Sequence, residues 1–273
     1  MANAKMLSSC ARVYDMSRLR ATLVLLTFAG VTLPLMPVQQ LFIWFWPRMA
    51  RRFPMHYHRL VLRILGVRVR RDGETLRQGP AIFAANHVSW LDIVILSSLA
   101  PVSFIARHDI NTWPFFGALA RLQRTVFVDR ARRHTSRASR DEMRERLAAG
   151  DMLVLFAEGT SGDGTRVLPF KSTFFSAVEN SNVAVQPLSV VYTGHRALPM
   201  PRHLRPLYAW YGDMEMPPHL WAAMAQGPIE VNIVCHAPLS TADHGDRKTL
   251  AKKAEEAVRR GLVDTLHGRA KMS

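Results

Sequence analysis

Thr125-Val126-Phe127-Val128-Asp129, then residues 135–148, then Met152-Leu153-Val154-Leu155-Phe156-Ala157 read as strand, helix and strand. The outer runs are β-branched, aromatic or continuously apolar, as in strands covered on both faces. Gly150 stands where the intervening helix should end. Such a unit places parallel strands in one α/β sheet. The alternation extends outward from it. Further strands are expected at Val67–Arg71, Ala81–Ala85, Val102–Ala106, Val183–Tyr192, Leu207–Gly212 and Ile229–His236. Helices are expected at 90–99, 113–123, 170–181, 217–226 and 247–264. The stretches near Leu207 and Ile229 alternate more regularly and suggest an antiparallel edge. The fold class is therefore α/β, a mixed, partly parallel sheet flanked by helices. A chain of 273 residues is long enough for one large core. No linker, repeat or low-complexity tract divides it. We expect an N-terminal helical segment over 1–66 and a catalytic domain over 67–273.

The segment Ala21–Trp46 is 26 residues long and nearly free of charge. That is enough to cross a bilayer, which takes about 20 residues. Pro34 and Pro37 interrupt it, so it reads as two helices, roughly 17–33 and 38–50, or as one kinked span. Phe42, Trp44, Phe45 and Trp46 form an aromatic cluster of the membrane-interface type. The apolar region is too long for a cleaved signal peptide, and no small-residue cleavage site follows it. A membrane anchor, spanning or re-entrant, is the preferred reading over a buried helix pair. Phe53–Leu65 adds an amphipathic helix for the membrane surface or for packing on the domain.

The net charge is +15, carried mostly by arginine, with eight arginines and no acid between Arg48 and Arg71. A second cluster runs from Arg121 to Arg146. Fields of this kind attract lipid head groups, nucleic acid or acidic carrier proteins. Its part from Arg132 to Arg146 also fits a solvated helix face with pairs to Asp141, Glu142 and Glu145. Nucleic acid is disfavoured, because the aromatic residues gather in the apolar N-terminus and not among the arginines. Cys10 and Cys235 have no metal-ligand spacing, and Cys235 reads as a small core residue. Nothing suggests a disulfide scaffold, which fits a reducing compartment.

Two apolar runs end in polar knots. Ala81–Ala85 runs into Asn86-His87-Val88-Ser89-Trp90-Leu91-Asp92, and Met152–Leu155 runs into Phe156-Ala157-Glu158-Gly159-Thr160-Ser161. Ser89 and Asp92 form a capping-box pattern, so Asp92 reads as a helix cap. The same geometry lets Asp92 orient the His87 ring, leaving the other nitrogen as a general base. No Gly-x-Ser-x-Gly elbow supplies a protein nucleophile; Ser161 comes closest but is followed by Gly162 and Asp163. The attacking hydroxyl then belongs to a substrate. A hydrolase that activates water with the same pair is the competing enzyme class.

His87-x-x-x-x-Asp92 with Asn86, and Phe156-x-Glu158-Gly159-Thr160, resemble the glycerolipid acyltransferases of the lysophosphatidic acid acyltransferase type. Thr125–Arg130 resembles the second block of that family, and Val183–Leu188, with Pro187, its fourth. The resemblance covers residues 80–190. It implies a glycerolipid acyltransferase fold and direct acyl transfer from a thioester to a lipid hydroxyl. His87 would be the base and Asp92 its partner. Arg130, Glu158, Gly159 and Thr160 would bind the acceptor head group, with Lys171 and Arg166 as further anion contacts. Phosphate-handling members usually carry arginine where Ser161 stands. The string Glu158 to Ser172 looks more like the lyso-ornithine lipid O-acyltransferase branch. Its acceptor has an amino-acid head group and no phosphate. Glu158 or Asp163 could meet the ammonium group, though Asp163-Gly164 is also an ordinary turn pair. A 1-acyl-sn-glycerol-3-phosphate acyltransferase making phosphatidic acid is the alternative.

By this reading the donor is acyl-carrier protein or acyl-CoA, with Arg132, Arg133 and Arg137 as a carrier-protein contact. Membrane lipids are the other partner. No metal and no cofactor is required. Backbone amides at the helix start after Ser89 would stabilise the oxyanion. His56 and His58 read as surface or interface residues. The expected location is the bacterial inner, cytoplasmic membrane, with the catalytic domain on the cytoplasmic side.

Overall fold

The apolar run Ala81–Ala85 forms strand β2, where β1 is Val67–Asp72, and every residue of β2 is buried. This strand is the centre of the sheet. Parallel neighbours flank it: β5 (Met152–Phe156) on one side and β6 (Ala184–His195) on the other. The registers set Ala85 beside Phe156 and Leu188. Beyond β5 lie β3 (Val102–Arg107) and the edge strand β4 (Val126–Val128), again parallel. On the other side the sheet becomes mixed. β6 pairs antiparallel with β8 (Ile229–Cys235) and with the short β7 (Leu198–Pro199), and β8 pairs parallel with β1. The order is β1-β8-β6-β2-β5-β3-β4. The structure is a computed structural model that describes residues 2–128, 133–179, 181–241 and 245–269, with side chains from residue 17 onward except 133–137.

Alternation along the strands feeds two cores. Ala81, Phe83 and Ala85 of β2, with Met152 and Val154 of β5, pack toward one face. Helices α1 (Ala2–Phe45), α2 (Pro47–Leu65), α3 (Leu91–Leu99) and α6 (Met216–Gln226) supply side chains to that core. Ile82, Ala84, Leu153 and Leu155 pack toward the other face, under α5 (Arg133–Ala148) and α7 (Arg247–Leu266). Helix α7 approaches β6 closely because residue 261 is glycine. A Cβ there would sit 2.4 Å from Ser189 Oγ and 2.7 Å from His236 Nε2.

The unit over residues 125–157 is present as β4, α5 and β5, with β3 between the two strands. Cys235 is free and buried, against the Thr75 hydroxyl at 3.2 Å. Of the two readings of the N-terminal segment, the single span is the one present. Helix α1 runs unbroken through Pro34 and Pro37 and stops before Trp46, whose backbone (φ −137°, ψ 76°) turns the chain into α2. Packing against the domain, with Ala21, Val24, Thr32 and Gln39 buried, outweighs the hydrogen bonds the prolines remove. Gln39 Nε2 donates to the carbonyls of Ala50 (3.0 Å) and Leu122 (2.9 Å), tying the helix pair to α4 (Phe116–Leu122). Gly66, at φ 74°, caps α2 in the left-handed region and feeds β1 directly.

Two expectations are corrected. Leu207–Gly212 is not a strand. A short 3-10 helix spans Arg202–Leu207 and a loop follows. Pro206 offers no amide to a ladder, and Trp210 N donates instead to Val88 O at 2.8 Å. Residues 170–181 hold only a 3-10 turn, Ser172–Ala177, because the backbone around it bonds outward: Phe170 N to Glu255 and Lys171 N to Ala157 O. Part of the basic charge is structural. Arg51 (2.8 Å), Arg124 (2.9 Å) and Arg146 converge on the buried carboxylate of Asp151, joining α2 to α5 and the start of β5. Arg146 therefore does not lie on a solvated face.

Candidate active site

The site begins where β2 stops. Asn86 extends the ladder with its side chain: Oδ1 accepts from Val190 N (2.7 Å) and Nδ2 donates to Val190 O (3.0 Å). The chain then leaves the sheet at His87. Helix α3 starts at Leu91, which puts Asp92 in its first turn and wholly inside the protein. Asp92 Oδ2 accepts from His87 Nδ1 (2.9 Å), Val88 N (2.7 Å) and Ser89 N (2.9 Å). Asp92 Oδ1 accepts from the Tyr192 hydroxyl at 2.7 Å. One carboxylate thus both holds the turn that leads into α3 and orients the imidazole.

A carboxylate only accepts, so the His87 proton sits on Nδ1 and Nε2 carries the lone pair. The ring stacks on Phe156 with centroids 3.9 Å apart at 15°. Its side chain is 17% exposed, enough for access and little enough to exclude bulk water. Burial and the Asp92 charge push the Tyr192 phenol well above its ordinary range, so it remains a donor.

The second knot docks on the first. Gly162 N donates to His87 O (2.8 Å) and Ala157 N to Ala85 O (3.3 Å). Glu158 lies between them, almost fully buried. Its Oε2 accepts from His87 N (3.1 Å) and its Oε1 from Leu168 N (2.9 Å). Burial pushes this carboxyl up to about 8, against the pull of the two amides. Both oxygens therefore face backbone, not an open head-group site. Gly159 takes φ 74° at the turn, and Thr160 beside it is exposed. Lys171 and Arg166 are exposed on the following loop. Asp163 folds onto Thr165, with its Oδ1 accepting from Thr165 N (2.9 Å) and Oγ1 (2.7 Å), which is the turn reading. Arg130 and the side chains of Arg132, Arg133 and Arg137 lie outside the described residues.

Of the expected oxyanion donors after Ser89, the amides of Leu91, Asp92 and Ile93 are engaged. Leu91 N faces Ser89 Oγ at 3.4 Å, Asp92 N donates to Ser89 O, and Ile93 N donates to Trp90 O. Val88 N and Ser89 N serve Asp92.

His87 opens onto a cavity of about 360 Å³ between the sheet and the N-terminal helices. Leu25, Phe28, Leu35, Phe53, Ile93 and Phe116 are among its apolar walls. His58 lines it too, which favours the interface reading over the surface one. Its Nδ1 meets Ser97 Oγ at 2.8 Å, and burial pulls its pKa down to about 4, so it is neutral. Its intermediate accessibility fits a side chain that borders the cavity. His56 is exposed, as expected.

The profile of the acyltransferase family matches residues 67–191, which hold both knots. The lyso-ornithine lipid O-acyltransferase of Brucella abortus is 42% identical over 258 residues, covering 92% of this chain and 97% of that protein. The chain belongs to the acyltransferase family. The lyso-ornithine lipid O-acyltransferase of Rhizobium meliloti is also 42% identical, over 88% of this chain and 85% of its own. The 1-acyl-sn-glycerol-3-phosphate acyltransferase of Neisseria gonorrhoeae is 34% identical over 67% of this chain and 69% of its own. The crystal structure of the 1-acyl-sn-glycerophosphate acyltransferase from Thermotoga maritima shares the fold, with a TM-score of 0.66 at 22% identity over 92% of this chain and 98% of that one. In this acyltransferase, sequence patterns gave no sign of Tyr192, Phe156 as a stacking partner, or Arg205. Arg205 Nη1 donates to Gly164 O at 3.3 Å, where Gly164 packs against the Val88 side chain. No carboxylate lies within ion-pair distance of it among the described residues.

Proposed function

We propose that this acyltransferase moves a fatty acyl group from a thioester to the free hydroxyl of a lysolipid, with lyso-ornithine lipid as acceptor and ornithine lipid as product. The observation that carries the chemistry is the His87–Asp92 pair, with Nε2 left free at an apolar cavity. The acceptor hydroxyl gives its proton to His87 Nε2 as its oxygen bonds to the thioester carbonyl carbon. The tetrahedral adduct then collapses, the carbon–sulfur bond breaks, and the departing sulfur takes the proton back from the ring. Asp92 stabilises the imidazolium between the two steps. The cavity supports binding of a long acyl chain, since its walls are aliphatic and aromatic. Acyl-carrier protein or acyl-CoA is the donor.

Gly159 and Thr160, next to His87, are the head-group contacts in this proposal, with Arg130 and Lys171 as cations. Glu158 braces the two knots instead of touching the head group. Arg205 is added as an anion contact for the acceptor's carboxylate, because its half-buried guanidinium has one carbonyl partner on the loop that bonds to His87. Residues 1–66 form the membrane-anchoring segment and 67–273 the acyltransferase domain. The helix Ser17–Phe45 is long and apolar enough to cross a membrane, with a mean hydropathy of 1.9 in its most apolar window. Leu19, Leu23, Leu26, Leu33 and Leu41 are exposed along it, and Trp44, Phe45 and Trp46 are exposed at its end. These side chains favour a lipid surface. We place the enzyme at the bacterial inner membrane with its catalytic domain on the cytoplasmic side.

The acceptor is tested by offering purified enzyme lyso-ornithine lipid and lysophosphatidate with one acyl donor. The expected result is preferential formation of ornithine lipid. Preference for lysophosphatidate would favour the alternative, a 1-acyl-sn-glycerol-3-phosphate acyltransferase making phosphatidic acid, and would reject the assigned acceptor. Free fatty acid as the main product would reject acyl transfer.

A further inference from the structure

The base and its carboxylate are joined by a third group from a distant strand. Tyr192 lies on β6, next to the irregularity between Tyr192 and Gly194. It is 4% exposed and packs among the core that carries Leu188 and Val190. Its hydroxyl is 2.7 Å from Asp92 Oδ1, on the oxygen that His87 does not use. We infer that Tyr192 is a positioning residue of the acyl transfer, whose O–H···Oδ1 bond fixes the Asp92 carboxylate and keeps the Nδ1 proton on the His87 ring. This rests on the reading of His87 as the base.

The physical argument has two parts. First, a buried carboxylate can swing about its terminal torsion unless both oxygens are held. The amides of Val88 and Ser89 hold Oδ2, and the phenol holds Oδ1, so Oδ2 stays in line with the imidazole Nδ1–H. Second, a donor to a carboxylate stabilises its charge and lowers its basicity. When Nε2 takes the acceptor proton, the ring is an imidazolium with Asp92 as its nearest acceptor. With the carboxylate held by the phenol, the Nδ1 proton stays on the ring, and the imidazolium can give its Nε2 proton to the departing sulfur. Burial and the Asp92 charge keep the phenol itself protonated. The pair His87–Asp92 therefore continues through Tyr192 into the core.

The test is the pH profile of kcat/KM in Tyr192→Phe, which keeps the ring and removes the donor. Without the phenol, the Asp92 charge acts more strongly on the imidazole and the charged ring is favoured. The acid limb should then move to higher pH by about half a unit or more, on top of a smaller pH-independent loss from the freed carboxylate. A loss that is the same at every pH, or no change, would overturn the inference and leave His87 as the base. A second variant guards against a folding defect. A ring-fluorinated tyrosine placed at 192 is a stronger donor of nearly the same shape. It should shift the limb the opposite way, to lower pH, and an unmoved limb would again overturn the inference. Failure of the underlying reading is distinguished by His87→Ala: if that variant retains turnover, the base is elsewhere and Tyr192 has nothing to position.

Discussion

Asp92→Ala should remove both activity and a large share of stability. The carboxylate is fully buried and accepts four hydrogen bonds. Alanine leaves the amides of Val88 and Ser89 and the hydroxyl of Tyr192 without their acceptor. Each buried donor left unpaired costs about 1–3 kcal/mol, so the three together should lower stability by roughly 3–9 kcal/mol. The His87 ring also loses the group that fixes its tautomer, which in comparable His–carboxylate pairs lowers kcat by about 10⁴-fold. Asp92→Asn is the milder change. It keeps an acceptor oxygen for part of the set, yet it turns an N–H toward one of the remaining donors. Its melting temperature should fall less than that of the alanine variant, while turnover should remain severely reduced. Thermal melts with steady-state kinetics on both variants check the pattern.

His87→Ala should separate the two effects. General-base contributions are about 10²–10⁴-fold, and the variant should lose at least that much in kcat. Stability should hardly move. The ring makes one side-chain hydrogen bond, to an oxygen that still accepts two amides after the ring is gone. What remains is the stack on Phe156, in a place open to the cavity. Near-wild-type melting with lost turnover is the expected result for His87, and loss of both for Asp92. A His87 variant that retained turnover within a few-fold of wild type would sink the base assignment.

Much of the sheet was legible because buried parallel strands write themselves as apolar runs. Ala81–Ala85 and Met152–Phe156 are such runs, and both end where catalytic-type residues begin. Where expectation failed or stayed open, the deciding interaction was tertiary. Pro34 and Pro37 left two helices or one span open, and packing against the domain decides for the single helix. The alternation around Leu207 suggested a strand, but Pro206 and the bond from Trp210 N to Val88 O make it a loop over the His87 motif. Within the site, the His87–Asp92 pair is local, five residues apart, and so could be read from spacing. Glu158 looked like a head-group ligand because its partners, His87 N and Leu168 N, are backbone atoms that no residue pattern announces. Tyr192 lies 100 residues from Asp92. Alternation along β6 gives the face it points to, and only the fold gives what it meets.

The central claim is one-step transfer to a lipid hydroxyl made reactive by His87. The most direct measurement follows thiol release and the fate of a labelled acyl thioester, first without acceptor and then with lyso-ornithine lipid. The account predicts no thiol release and no label on the protein without acceptor, then one ester formed per thiol released once the lysolipid is added. Acyl label on the protein, or thiol release with free fatty acid in the absence of acceptor, would contradict it.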